Sequence, residues 1–532
     1  MFEQFRSKLA RIIAPTRSVR MYQAARPSRL TSGWGSDNSS ADGELSSSLR
    51  TLRTRSRALI RDAAYAKRAR DIVVNNVVGA GVGMQASVIT TRTEMNERVN
   101  DGIESAWCEW TCADSCHTGG AMHFADMERM IMAQVFEAGE VFIRKHIRQF
   151  GSSKVPFALE VIEAERLADD LYAPVPADPS NIVRMGVECD PLGRPVAYWI
   201  RDRHPGELQY SRDTSVKLTR VPADEVYHLR LITRWPQTRG EPWLHNVARK
   251  LNDMDGYSEA EIVAARGAAN YMATIETTED ADDGRGELQS DGTYQTELSP
   301  GIIERLKPGE KLSFVSPNRP NSAMDPFMRM MLREVAAGIG VSYESLSRDY
   351  SQSNYSSSRL ALLDDRDLWK ALQQWYIRSF REPLHKEWLR MAVMAGAIPE
   401  VPVKQFAADM VKFSAVAFKP RGWSWVDPTK EVEAYKEAIK AGFTTRADVI
   451  SQTGNGMDIE DVDQQRRREL DSADALDLDY DTDPESYMAD AEAKMAQAEN
   501  ATAPPGATPP PQNEADDSET DPPMRVFSFA RK

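Results

Sequence analysis

Cysteine is nearly missing from this chain. Four among 532 residues are too few for a disulfide framework and fit a reducing compartment. Long apolar runs are missing as well: nothing approaches the roughly 18 consecutive hydrophobes of a membrane span. The opening MFEQFRSKLARIIAP alternates charge and hydrophobe instead of building the apolar core of a secretory signal, so a cytoplasmic product is expected. An excess of positive charge is the third absence. Lys and Arg number 66 against 80 Asp and Glu, a formal net charge of −14 with a pI near 5.2. A protein that grips DNA by neutralising phosphates normally has a basic surface. The balance therefore argues against a conventional DNA binder, though not against a protein past which DNA slides.

Catalytic signatures are lacking too. There is no G-x-x-x-x-G-K-[ST] phosphate loop, no H-E-x-x-H and no G-x-S-x-G elbow. Gly79, Gly81 and Gly83 have no following Lys and come after a helical pattern, which reads as a turn. Cys108, Cys112, Cys116 and His117 are the sharpest metal candidates. Their four-residue steps put three thiols up one straight helix, whereas zinc ligands converge from turns, so packed structural cysteines are the expectation. His204 and His228 fall in strand regions, where a satisfied structural histidine is the simpler reading. Glu137 and Glu140 have dyad-like spacing at a helix end, and two carboxylates are weak support for acid/base work. The expectation is no catalytic residue, no metal and no cofactor.

What is present is an α+β chain long enough for two or three compact regions. Hydrophobic content of 41% and charged content of 27% are those of ordinary globular proteins. Residues 1–60 are rich in Ser, Arg and Gly and read as an extended arm. Helical spacing runs from about Leu49 to Asn76 through Leu52, Leu59, Ala63 and Ile72. Along it Arg50, Arg53, Arg55, Arg57, Arg61, Lys67, Arg68 and Arg70 go round the helix, as a solvated or ion-paired face does as readily as a nucleic-acid patch. Two helices are predicted over 95–118 and 121–138. From Glu140 to Leu231 short β-type runs alternate with Pro, Gly and Asp turns.

A helix of roughly 50 Å is predicted from Trp243 to Thr277. Leu251, Met254, Ile262, Ala265, Ala269 and Met272 form one packing face, and Ala260, Ala264 and Ala268 leave room for a close neighbour. Residues 278–322 are polar and turn-rich, with short strands. A second helix, DPFMRMMLREVAAGIG, leads into SRDYSQSNYSSSR. A long helix then covers Ser358 to Ala395, with Ser356 or Ser357 as a candidate N-cap. Two helices bracketing a small β insert suit a pair that projects outward and packs against copies of itself. Two more helices are predicted between 428 and 468. Residues 471–500 hold ten acids against one Lys, and with the Pro-rich remainder they read as disordered.

The order of these blocks resembles the lambda-type phage portal proteins over about residues 20–470. The likeness is carried by LRTRSRALIRDAAYAKRA with NNVVGAGVG, by the Trp107/Trp110 helix with EAGEVFIR, by LEVIEAERL, GVECDPLGRPVAYWI and VPADEVYHLRLITRWPQTRGEPWL. The strongest block is EVAAGIGVSYESLSRDYSQSNYSSSRLALLDDR. The resemblance implies a dodecameric ring at one capsid vertex, a channel for packaging and ejection of double-stranded DNA. The implied partners are further copies of the chain, the terminase large subunit, head–tail connector or neck proteins, and a major capsid or scaffold protein, with no membrane. The implied location is the virion, with the host cytoplasm during assembly. Carried onto this chain, it implies an arm at 1–49, a mixed α/β wing at 50–240, a first stem helix at 241–277 and a clip at 278–322. A second stem helix follows at 323–341, a channel loop at 342–357, a long wing helix with its following segment at 358–427, wing or crown helices at 428–470, and a disordered tail at 471–532. Arg348, Gln352, Ser353, Asn354 and Tyr355 are implied to face the channel, and Glu304, Arg305, Lys307, Glu310 and Lys311 to meet the motor. The competing readings are a head-maturation nuclease or protease, and a monomeric capsid-assembly adaptor.

Overall fold

A computed structural model describes residues 38–91, 94–170, 178–210, 217–270, 273–277, 287–288, 294–295, 310–314, 323–423, 428–453 and 459–476, besides Arg29, Gly35 and Leu478. It mixes helices with antiparallel sheets and divides into two units, Met1–Gly456 and Met457–Lys532.

The first helix, α1, spans Ala41–Asp62, so it begins inside the stretch expected to be an extended arm. Local chemistry explains the early start. The Ser40 side chain accepts from the Gly43 amide, and Asp42 and Glu44 lie in the first turn, where the helix dipole favours acids. Leu45 and Leu49 then bury. The chain turns extended at Ala63 and resumes as α2, Ala64–Val77, so the one helix expected over 49–76 is two. After β1 (Gly83–Ala86) and a small hairpin, α3 covers Glu97–Trp110. It stops at Thr111, and a separate turn of helix, Ala113–Cys116, follows. The three cysteines are therefore not on one straight helix. Cys108 and Cys112 are exposed and Cys116 is buried, where burial pushes its thiol up to about 12.

Helix α4, Phe124–Ala138, ends on Gly139 with φ 87°. Only glycine fits here, since a Cβ would sit 2.3 Å from the Glu241 carbonyl carbon. Strands β2 (Glu140–His146) and β3 (Ala158–Ile162) follow. Next come β4 (Ile182–Arg184), β5 (Val187–Cys189), β6 (Pro195–Arg201), β7 (Leu218–Pro222) and β8 (Val226–Arg230). They form a three-stranded sheet in the order β8-β2-β3 and a four-stranded sheet in the order β4-β5-β6-β7, all antiparallel. The short β-type runs read in the sequence become these strands, and in β2 successive side chains enter two cores, Val141 and Ile143 the main one and Phe142 a smaller one.

Helix α5 spans Ala248–Asn270, shorter than the first stem helix expected over 241–277. Ala273–Thr277 is instead strand β9, paired antiparallel with β10, Glu310–Phe314. Its Thr274, Ile275 and Thr277 are β-branched, which favours a strand over a continuing helix. Helix α6, Met324–Ile339, ends on Gly340 in the left-handed region, close to the second helix read from the sequence.

Helices α5 and α6 run antiparallel: Asn246 donates to the Gly338 carbonyl, Lys250 pairs with Glu334, and Tyr257 meets Phe327 edge-on. Leu251 and Met254 are buried, whereas Ile262 is 50% exposed and Ala265 exposed. Ala269 lies in the helix, and Met272 lies outside the described residues.

A short helix and a long one lead into the C-terminal half. Helix α7 is Tyr343–Ser347 and α8 is Tyr355–Tyr376. Helix α8 passes through a π-turn at Ile377–Arg381 into α9, Glu382–Met394. The long helix thus begins three residues before the expected Ser358. Trp107, Trp110 and Phe124 pack on Trp388 and Phe380 of this element to form the centre of the main core. Strand β11, Val416–Lys419, pairs with β1. Helices α10 (Pro428–Lys440) and α11 (Arg446–Thr453) follow. In the second unit α12 spans Ile459–Ala475. The expected disordered tail thus starts within a helix, and beyond Leu476 it lies outside the described residues, Leu478 excepted.

Candidate functional site

The two carboxylates with dyad-like spacing are both engaged. Glu140 is fully buried at the start of β2. Its Oε1 sits 2.6 Å from Arg53 and 2.7 Å from Arg239, and its Oε2 is 2.8 Å from His228 Nε2. The Gly240 amide donates to Oε2 at 2.9 Å. Burial by itself would raise this carboxyl, but Arg239 and Arg53 outweigh it and hold Glu140 well below the usual carboxylate range. Burial, with Arg230 beside it, pushes His228 down to about 3, so the ring is neutral. Its Nε2–H donates to the ionised Glu140, while Nδ1 accepts from Arg230 at 2.6 Å. Every strong acceptor position is filled, which suits a structural clamp and leaves no base for catalysis.

Glu137 is held by Arg70 at 3.0 Å and Arg57 at 3.5 Å. Arg53, Arg57 and Arg70 of the basic stretch thus face acids inside the fold, not a nucleic acid. A second buried pair joins Arg381 of the π-turn to Glu128 of α4 at 3.2 Å, with the guanidinium over the Trp107, Phe124 and Phe418 rings. Among the described residues Glu163, Glu165 and His204 lie close enough to share a cation. Arg57 already neutralises both carboxylates, at 2.8 Å from Glu165 and 3.7 Å from Glu163.

The segment between α6 and α8 is where the candidate channel residues meet. Helix α7 is held from two sides. Asp365 of α8 accepts from the Ser342 amide at 2.8 Å, the Ser342 hydroxyl at 2.7 Å and the Ser345 hydroxyl at 2.9 Å. From α2, Arg68 donates through Nε and Nη2 to the Ser345 carbonyl at 3.3 and 3.2 Å. Helix α7 ends on Arg348, whose φ of 58° and ψ of 22° are left-handed, a region that non-glycine residues seldom enter.

Asp349 then braces the loop. Its carboxylate takes the Tyr343 hydroxyl at 2.9 Å and both the amide and hydroxyl of Ser351. These hydrogen bonds, led by Ser351, bring its carboxyl down to about 2. Gln352 and Asn354 are exposed and Ser353 is half-buried. Asn354 is the N-cap of α8, with Ser357 closing a reciprocal capping box at 2.8 and 3.1 Å; the expected caps, Ser356 and Ser357, are instead inside the helix. Tyr355 is its first residue.

The loop residues expected to act together are thus contiguous on one braced turn. The residues that brace it, Arg68, Asp349 and Asp365, do not stand out as its supports in the sequence. Of the charged residues expected to meet the motor, Glu310 and Lys311 lie in β10. Glu304, Arg305 and Lys307 lie outside the described residues.

The chain is similar to known proteins. The family described as phage portal protein, lambda family, matches residues 27–373. The probable portal protein of Halomonas phage phiHAP-1 is 28% identical over 447 residues, covering 83% of this chain and 84% of that protein. Portal protein B of Escherichia phage lambda is 21% identical over 480 residues, covering 82% and 86%. The portal protein of Escherichia phage N15 is 22% identical over 471 residues, covering 82% and 87%. Among solved structures, the neck of a native gene transfer agent particle, computed with C12 symmetry, gives a TM-score of 0.41 at 13% identity, covering 75% of this chain and 93% of that one. With a match over well more than half its length, the chain belongs to the lambda family of phage portal proteins, structural components of the virion rather than enzymes.

Proposed function

We propose that the chain assembles as a ring, dodecameric in the head, at one capsid vertex, and that the ring is the channel through which double-stranded DNA enters and leaves. The observation that carries this reading is the antiparallel α5/α6 pair in a chain of this family. Its Leu251/Met254 end is buried within the subunit, while Ile262 and Val263 on α5 and Phe327 and Met330 on α6 stay exposed. Apolar groups of this size on two adjacent helices suit burial against the next copy.

In this reading the loop from Arg348 to Tyr355 faces the channel, and β9, β10 and the stretch between them meet the terminase large subunit and later the neck proteins. A major capsid or scaffold protein contacts the outer rim. Exposed Asp253, Asp255 and Glu259 on α5 favour a wall that repels phosphates, so duplex DNA is guided without being held. Imaging of the purified full-length chain by negative stain, together with native mass measurement, tests the ring. Annular particles are expected; a compact monomer at high concentration overturns the reading.

A further inference from the structure

We infer that ordered water is bound inside the main core, between Arg381 of the π-turn and His385 of α9, as the shared hydrogen-bond partner of both side chains. The site belongs to the single subunit and does not depend on ring assembly.

The π-turn sets the geometry. Tyr376, Arg381, His385 and Trp388 follow one another at steps of five, four and three residues. The five-residue step crosses the π-turn at Ile377–Arg381, whose wider turn brings the chain back to the same face. In a regular α-helix that step would rotate Arg381 about 140° away from Tyr376. Arg381 and His385 are each 1% exposed, and Tyr376 and Trp388 are fully buried. Arg381 and His385 also share two neighbours. The guanidinium carbon lies 5.0 Å from the Trp107 ring and 5.2 Å from the Phe418 ring, and the imidazole is 6.2 Å from each. The Trp388 ring is 6.0 Å from the imidazole.

Protein atoms do not satisfy these groups. Arg381 donates through Nη1 to Glu128 Oε1 at 3.2 Å. Its Nε and Nη2, both ring nitrogens of His385 and Nε1 of Trp388 have no hydrogen-bond partner among the described residues. The second oxygen of Glu128 is turned to the Val82 amide, at 3.1 Å. Burial, with Arg381 beside it, pushes His385 down to about 3, so the ring is neutral, with one donor and one acceptor. The unmet set is therefore five N–H groups and one ring acceptor, with one N–H on Nε, two on Nη2 and one each on His385 and Trp388.

Buried groups of this strength are almost always bonded, because leaving them unmet costs more than such a bond contributes. Aromatic rings wall the site, so the partner has to be small. It has to accept from Arg381 and also donate to the acceptor nitrogen of His385. Water does both. A metal cation accepts nothing, and an anion donates nothing. Arg381 moreover has Glu128 as its counter-ion, so no unbalanced cation calls for an anion. Six unmet hydrogen bonds, at roughly three to a buried water, correspond to about two molecules.

Two measurements on the full-length chain test the site. A density map at a resolution that shows ordered water should hold a peak within about 2.7–3.2 Å of both Arg381 and a ring nitrogen of His385. Side chains bonded directly to one another or to backbone carbonyls, with no peak between them, overturn the inference. So does a peak contacted by N–H groups alone, which would mark an anion. In solution, the sign of a stability change decides. His385→Phe and His385→Leu both remove the nitrogens and stay apolar. If those nitrogens have no partner, an apolar side chain is better placed in this core than imidazole, and the unfolding midpoint rises. If they hold water, both variants lower the midpoint, by about 2 °C or more. His385→Gln, which again offers a donor and an acceptor, should recover part of that loss. A midpoint that is unchanged or higher in both apolar variants overturns the site.

Discussion

The guanidinium of Arg53 stands 2.6 Å from the carboxylate of Glu140, both side chains almost completely removed from solvent. Helix α1 and the first residue of β2 are thereby joined at a point that also receives Arg239 and His228. Arg239 lies in the segment that leads through Gly240 into α5. Gly240 can be no other residue, because a Cβ there would lie 2.1 Å from the Gly139 carbonyl oxygen. The clamp fixes where α5 leaves the sheets.

Removing the carboxylate charge leaves two buried arginines without compensation. Glu140→Gln is expected to destabilise the first unit by about 3–5 kcal/mol, the range for breaking one partner of a buried ion pair. Urea unfolding followed by tryptophan fluorescence measures it. A loss below about 1 kcal/mol would mean the clamp is not what anchors α5.

Acid should weaken the same region from two directions. The folded carboxyl of Glu140 lies below its ordinary value of 4.5, so its contribution is complete above that pH and is lost as pH falls. His228 and His385 are pushed by burial from 6.5 down to about 3. Between those values the unfolded chain binds protons that the folded chain refuses, and stability falls as pH drops from 6.5 to about 3. His228→Gln should reduce the slope of unfolding free energy against pH in this window. An identical slope in the variant would remove His228 from the account.

Asn354 and Ser357 satisfy each other's backbone amides at the start of α8. Asn354→Ala should cost about 1 kcal/mol and loosen the turn from Asp349 to Asn354, read as faster amide exchange at Ser357 and Ser358. Retained protection at both amides would show that the hydrogen bonds to Asp349 and Asp365 are enough to hold the turn.

Two of the four thiols are exposed and two are buried. Ellman's reagent should therefore titrate Cys108 and Cys112 in the native subunit, and all four cysteines only after denaturation. If assembly covers α3, the native count drops further, which makes the reagent a probe of which face is enclosed in the ring.

Reversing charge on α5 probes the guiding role. Asp255→Lys with Glu259→Lys should slow DNA translocation through the assembled head, because new cations along the wall hold phosphates that acids would repel. Unchanged packaging rates in a motor-driven assay would place these carboxylates away from the DNA path.

Much of this protein is local and legible as a string of residues. Short β-branched and aromatic runs between turn residues mark β2, β3, β6 and β8, because such side chains suit a pleated, packed surface. Helical spacing marks α4, α6 and α8, and the order of short blocks carries the family. Sequence also excludes familiar catalytic motifs, since those depend on fixed spacings that are missing.

Tertiary structure decided the rest, where the determining partner is remote in the chain. Nothing near Arg53 says that it is buried against Glu140, and nothing near Arg68 says that it caps Ser345. Charged side chains around a helix look solvated until another segment supplies their counter-ions. The early start of α1 and the break after Thr111 follow from a cap and a packing choice that periodicity does not register. Residue type and spacing set which elements form; which charges meet, and so which side chains remain available for a ligand, was settled only when distant segments packed together.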